Sequence, residues 1–312
     1  MEFLLPYLAT GAVAGFLAGL LGVGGGLVIV PVLALVFAAQ GFPAAHVMHF
    51  ALGTSLTSIL FTSLSSVRAH HAHGAVEWAV VRGIAPGIVT GTLLGTWLAA
   101  QLPTQFLKVF FIVFIYYVAA QMLLNIKPKG NAEEMSEADA VQGARRAATE
   151  TYRRDRRGSE HRATPQCAAA AIYSAFPKPS RRLPGRAGLF AAGGVIGGVS
   201  SLVGIGGGTL SVPFLSWCNV SLHRAIATSA AIGFPIAAAG ALGFLLNGLA
   251  AENLPPWSLG YISLPALGGL ALASVLTAPL GARVAHRLPV ARLKKVFALL
   301  LLALGTRMLM SL

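Results

Sequence analysis

The sequence predicts an all-α, polytopic transmembrane bundle of two homologous, inverted repeats, and three observations carry that prediction. First, the 312 residues are 55% hydrophobic and only 11% charged, with a mean hydropathy of +0.72, whereas soluble domains average about 25% charged residues. Second, the charge is confined. Residues 127 to 186 hold 13 of the 23 Lys/Arg and 7 of the 10 Asp/Glu, so the other 252 residues share 13 charges. Third, long apolar stretches recur four and four on either side of that polar middle. This composition suits a lipid-embedded chain and argues against a soluble enzyme or a nucleic-acid binder. The net charge of +13 is explained by basic groups flanking apolar spans, without a polyanionic partner.

Stretches approaching a bilayer span of about 20 residues run over 3–39, 48–67, 77–100 and 105–126, then over 187–218, 225–247, 257–282 and 294–312. The chain begins Met1-Glu2-Phe3 without the basic region of a cleaved signal, so the first stretch is expected to be retained. Gly22-Val23-Gly24-Gly25-Gly26 followed by Val30-Pro31 reappears as Gly204-Ile205-Gly206-Gly207-Gly208 followed by Val212-Pro213, at an offset of 182. Nine of twenty positions are identical between 14–33 and 196–215. Ala51-Leu52-Gly53-Thr54-Ser55 matches Ala225-Ile226-Ala227-Thr228-Ser229, and Leu102-Pro103 with Leu107-Lys108 matches Leu288-Pro289 with Leu293-Lys294. Landmarks in one order mark an internal duplication, a recurrent plan among transporters. The expected organisation is an N-terminal transmembrane repeat (1–128), a charged, disordered cytoplasmic linker (129–183) and a C-terminal repeat (184–312).

Short-loop Lys/Arg bias sets orientation. It places the basic middle and the cluster Arg283, Arg287, Arg292, Lys294 and Lys295 in the cytoplasm. An even number of crossings then separates 187 from 283, and segments 225–247 and 257–282 supply two. The segment with Gly204 to Gly208 must therefore turn back on itself. In the first half the same rule puts Arg68 with His70, His71 and His73 inside, and the loops near 40–46 and 101–104 outside. The halves then insert in opposite senses. The linker has no hydrophobic periodicity and cannot bury enough apolar area to fold, although 145–157 could lie as a basic helix on anionic lipid.

The two glycine breaks are the leading candidate site. Three successive glycines favour irregular backbone, and Pro31 and Pro213 fit the early part of the helix that follows. Irregular backbone at membrane depth persists only against protein or a watered cavity. A helix start there exposes amide groups at the positive end of a dipole, which suits an anion. The candidate substrate ligands are Gly24, Gly25, Gly26, Gly206, Gly207 and Gly208, with the hydroxyls of Thr54, Ser55, Thr228 and Ser229. Asn247 is a weaker candidate. The ladders Gly11, Gly15, Gly19 and Gly83, Gly87, Gly91, Gly95 read instead as close helix packing. A nucleotide loop is excluded, since no lysine follows and Leu27 stands where a third glycine would fall. His70, His71 and His73 have no Cys or acidic neighbour within three residues and read as a loop rather than a metal site. Glu77 and Arg82 fit a membrane interface. Cys167 and Cys218 form no disulfide framework, and nothing resembles a catalytic triad, so no enzyme and no cofactor is expected.

GLLGVGGGLVIVPVL at 19–33, GTSL at 53–56, VGIGGGTLSVPFL at 203–215 and HRAIATSAAIGFPIAAAGALGF at 223–244 resemble the sulfite exporter TauE/SafE family over about 1–128 and 180–312. The resemblance implies a bacterial inner-membrane permease with two related halves, associated with sulfite, sulfonates and other small organosulfur or carboxylate anions. It also implies a short basic loop between the halves, which makes 130–176 either an insertion or a reading-frame artefact. The expected function is alternating-access transport of a small anion, sulfite or an organosulfonate, in a lipid bilayer, with no nucleic-acid partner. The alternatives are a non-transporting membrane accessory or assembly protein and a metal-ion permease using the histidines.

Overall fold

The computed structural model describes residues 4–21, 25–72, 76–124, 184–218, 220, 222–251, 254–285 and 290–311. The expected linker features, Cys167 and His73 lie outside these residues. The described chain is almost wholly helical: α1 Leu4–Leu21, α2 Gly26–Ala39, α3 Val47–Ala72, α4 Trp78–Gln101, α5 Thr104–Leu123, α6 Arg186–Val203, α7 Gly208–Trp217, α8 Leu222–Leu249, α9 Leu264–Ala285 and α10 Val290–Leu309. A two-stranded antiparallel hairpin, β1 Ser258–Leu259 and β2 Ile262–Ser263, precedes α9. Among the described residues five helices are long and apolar enough to cross a membrane: Val47–Arg68, Trp78–Gln101, Thr104–Leu123, Arg186–Val203 and Arg224–Leu249. The fold is all-α and membrane-like.

Each first segment is two helices, because its glycine run cannot sustain the ladder. Gly25 at φ 74° and Gly207 at φ 75° stand immediately before α2 and α7. An L side chain in that left-handed region is disfavoured by about 1–2 kcal/mol, which explains glycine there. Both carbonyls accept the first amides of the new helix: Gly25 O from Val28 and Ile29 at 3.0 and 3.1 Å, Gly207 O from Leu210 and Ser211 at 3.1 and 2.8 Å. In the first half the chain folds back, for Tyr7 in the first turn of α1 donates its hydroxyl to Gln40 Oε1, just past α2, at 2.8 Å. The segment expected over 257–282 enters its helix only at Leu264. Pro255 and Pro256 cannot donate ladder hydrogen bonds, and Gly260 at φ 55° turns the hairpin.

Helices α3 and α8 form the centre and run antiparallel: Gly53 packs on Phe244, and Gly240 on Leu56. They are the most buried of the long apolar helices. Two parallel pairs flank them, each joining one half to the other. Helix α1 lies along α9, with Gly11 against Leu270 and Gly15 against Ser274. Helix α4 lies along α6, with Gly83 against Leu189, Gly87 against Phe190, Gly91 against Gly194 and Gly95 against Gly198. Without a Cβ at these contacts the backbones approach closely, the usual means of helix association in lipid. Helices α5 and α10 pair at the periphery, tied by Tyr116 Oη and Thr306 Oγ1 at 2.9 Å. Leu94, Trp97, Val113, Tyr117, Val195 and Leu276 remain exposed on the outer surface, the apolar rim that a lipid-embedded bundle requires.

Candidate functional site

The two breaks meet at the centre of the molecule. Gly25, Gly26 and Gly204 to Gly208 are all buried, and Gly24 lies outside the described residues. A Cβ on Gly26 would strike the Gly204 carbonyl oxygen and stand 2.9 Å from Ile205 Cα. One break therefore rests directly on the other. Gly204 itself, at φ 72°, closes α6 and packs against Leu52 of α3 and Val30 of α2.

The four candidate hydroxyls are buried, and their partners differ. Thr54 Oγ1 accepts the backbone N–H of Ser263 at 3.0 Å. Thr228 Oγ1 accepts the backbone N–H of Glu77 at 3.1 Å. Ser263 and Glu77 each stand immediately before a helix, α9 and α4, where the first amides lack intrahelical acceptors. Each threonine thus holds the start of a helix from the opposite half. Ser55 Oγ donates to the Gly204 carbonyl at 2.9 Å and fastens α3 to the second break. Ser229, 1% exposed, is the exception: its hydroxyl has no hydrogen-bond partner. The structure therefore gathers Gly25, Gly26, Ser55 and the second break into one locus. Thr54 and Thr228 sit beside the ends of α9 and α4.

Glu77, read from sequence as an interface residue, forms an ion pair with Arg224 at the start of α8. Arg82 is exposed, and Asn247 bonds back to the Gly243 carbonyl at 2.8 Å. His46, His49, Phe50 and Tyr261 form an aromatic cluster where the loop after α2 meets the hairpin before α9. Burial raises the Tyr261 phenol above its ordinary pKa, so it stays protonated at neutral pH. Among the described residues no three His, Cys, Asp or Glu converge to hold a metal. The side chains of His70 and His71 are outside the described set.

Sequence reading did not single out Ser200, Thr209 or Ser211, which border the second break with buried hydroxyls that have no hydrogen-bond partner. The signal was present in the differences between the repeats. At the offset of 182 these three positions face Ala18, Leu27 and Ile29 of the first half.

A family profile described as "Sulfite exporter TauE/SafE" matches residues 7–308. The chain belongs to the sulfite exporter TauE/SafE family. Membership makes it a multi-pass membrane protein of a transporter family rather than of an enzyme family. A Haemophilus influenzae relative named "Probable membrane transporter protein" is 32% identical to this TauE/SafE chain over 307 residues, covering 98% of this chain and 98% of its own. A Methanocaldococcus jannaschii protein, also named as a probable membrane transporter, is 24% identical over 312 residues, covering 98% of this chain and 96% of its own. No solved structure matches the chain.

Proposed function

We propose that this TauE/SafE protein moves a small oxygen-bearing anion, sulfite or an organosulfonate, across a bacterial inner membrane by alternating access around the two glycine breaks. The observation that carries the proposal is the meeting of the two buried breaks at the centre of the bundle, where the start of α2 rests on Gly204 and Ile205 of the second break and each new helix is entered through a left-handed glycine. Helix starts present unpaired amides and a positive dipole end, so the locus attracts an anion without any fixed cation. Neither α2 nor α7 contains a Lys, Arg or His.

Alternating access needs two arrangements of related halves about one site, and the exchanged contacts support such a relation. Thr54 and Thr228 are 174 residues apart. Their partners Ser263 and Glu77 are 186 apart, the same offset that relates Leu102-Pro103 to Leu288-Pro289. The parallel pairs α1 with α9 and α4 with α6 exchange under the same operation. The ion pair of Glu77 with Arg224 and the contact of His46 with Tyr261 join ends that share a face only if the halves run in opposite senses. Under that arrangement the membrane potential, negative inside, favours anion exit; entry requires a coupled cation.

The test is a thermal-shift screen of the purified full chain against sulfite, thiosulfate, sulfonates and small carboxylates. A true ligand at a hundredfold excess over its dissociation constant stabilises the protein by about 2.7 kcal/mol. A flat response to the whole panel would overturn the proposal.

A further inference from the structure

Hydroxyls in apolar helices ordinarily bond back to the preceding turn, and Thr57, Thr62, Thr90, Thr96, Thr277 and Thr306 do so here. Ser200, Ser211 and Ser229 do not. Each is at most 1% exposed, and each oxygen has no hydrogen-bond partner among the described residues. They come from the three helices around the second break: the last turn of α6, the first turn of α7, and α8. A Cβ at Gly207 would meet the end of the Ile236 side chain first and would stand 3.5 Å from Ser211 Oγ and 3.7 Å from Ser200 Oγ, so both hydroxyls border one point beside the left-handed glycine, which an anion reaches by displacing the terminal methyl of Ile236. Ser229 shares a helix face with Gly233 and Ile236, four and seven residues on. Gly233 and Ile236 lie against Gly206 and Gly207. Between these hydroxyls the first turn of α7 leaves the amides of Gly208 and Thr209 without intrahelical acceptors.

Among its described residues the first break offers nothing comparable. The counterparts of Ser200 and Ser211 are Ala18 and Ile29. The counterpart of Ser229 is Ser55, whose hydroxyl is engaged by the Gly204 carbonyl. Gly26, the first residue of α2, is pressed against Gly204.

We propose that a single monoanion is held at the second break alone, by the hydroxyls of Ser200, Ser211 and Ser229 and the free amides of α7, and that the first break binds none. This rests on the reading that the breaks serve an anion, and it names the half, the residues and the charge class. The charge class follows from electrostatics. The site offers hydroxyls, amides and a helix dipole equivalent to roughly half an elementary charge. Arg224, five residues before Ser229, is already paired with Glu77. The cost of desolvating an ion grows with the square of its charge, and only a matched opposite charge offsets it. A monoanion with several acceptor oxygens, such as a sulfonate or hydrogensulfite, is therefore accepted and a dianion such as sulfate is rejected.

The experiment is calorimetric titration of the purified full chain with methanesulfonate and with sulfate, alongside Ser200→Ala and Ser211→Ala. The native chain is expected to bind one methanesulfonate and to prefer it strongly over sulfate. Each alanine variant is expected to bind it about tenfold more weakly or worse, the loss of one hydrogen bond to a charged group. Ligand-free melting curves report whether the variants fold; where one does not, the stoichiometry and the sulfate discrimination of the native chain decide. Two anions per chain, tighter binding of sulfate, or well-folded alanine variants with native affinity would each overturn the inference while leaving anion transport standing. A native chain that binds neither methanesulfonate nor any anion of the thermal-shift panel removes both.

Discussion

A threonine hydroxyl in an apolar helix can serve a substrate or a neighbouring backbone, and Thr54 and Thr228 serve the backbone. Each accepts an amide at the entrance of a helix from the other half. Replacing either with valine keeps the shape and removes the acceptor, leaving a shielded N–H unpaired. Thr54→Val and Thr228→Val are each expected to destabilise the protein by about 1–3 kcal/mol, seen as a lower unfolding midpoint in detergent. Thr90→Val provides the contrast, since Thr90 is exposed and bonds only to its own helix; its effect should stay within about 0.5 kcal/mol. The duplicated Thr-Ser pairs were legible as a pattern, because repetition is a property of the sequence. Which of the four oxygens lacks a partner was not, because that depends on helices brought from 147 or more residues away, as Arg224 is to Glu77. Ser200 and Ser211 are not marked by the duplication, because the first-half positions that correspond to them are Ala18 and Ile29.

At the scale of elements, the glycine ladders read from sequence as packing surfaces do pack, and the structure assigns each its partner. The notional Cβ of Gly91 falls on the carbonyl oxygen of Gly194, so Gly91→Ala must force α4 and α6 apart. Overpacking of this kind costs typically 1–3 kcal/mol. Gly268, on the exposed face of α9, has nothing within 4 Å of its notional Cβ, and Gly268→Ala should be neutral or stabilising because alanine is the better helix former. Melting curves of the two variants should therefore move in opposite directions or differ by at least the overpacking term. Periodicity and glycine spacing identified such surfaces without their partners, since a close-packing motif does not encode which helix it meets. For the same reason the two-helix form of each first segment was anticipated from its glycine run, whereas the hairpin before α9 was absorbed into an apolar run with no mark except Pro255, Pro256 and Gly260.

At the scale of the whole molecule, the halves are interleaved rather than side by side. Helix α1 packs on α9 and α6 on α4, so neither half has its own closed core. An orientation test follows from the contacts at the ends. Ala45 precedes His46, whose ring lies 5.4 Å from that of Tyr261, and Trp257 sits on the same hairpin approach. Cysteines placed at exposed Ala45 and Trp257 should label from one side of the membrane, and a cysteine at exposed Lys295 from the other. Labelling of positions 45 and 257 from opposite sides would contradict inverted halves. The repeat landmarks and charge bias predict inverted halves at the level of sequence, which the labelling tests; the interleaving could not be read there, because a two-fold relation permits either partner choice.

The central claim, that the glycine breaks pass a small anion, is tested most directly by flux. Purified protein in liposomes, with a membrane potential imposed, should carry methanesulfonate or sulfite saturably toward the positive side, and Ser211→Ala should reduce that flux while inserting normally. Flux no greater than in protein-free liposomes, or flux indifferent to Ser211→Ala and to blocking of the second break, would contradict the account.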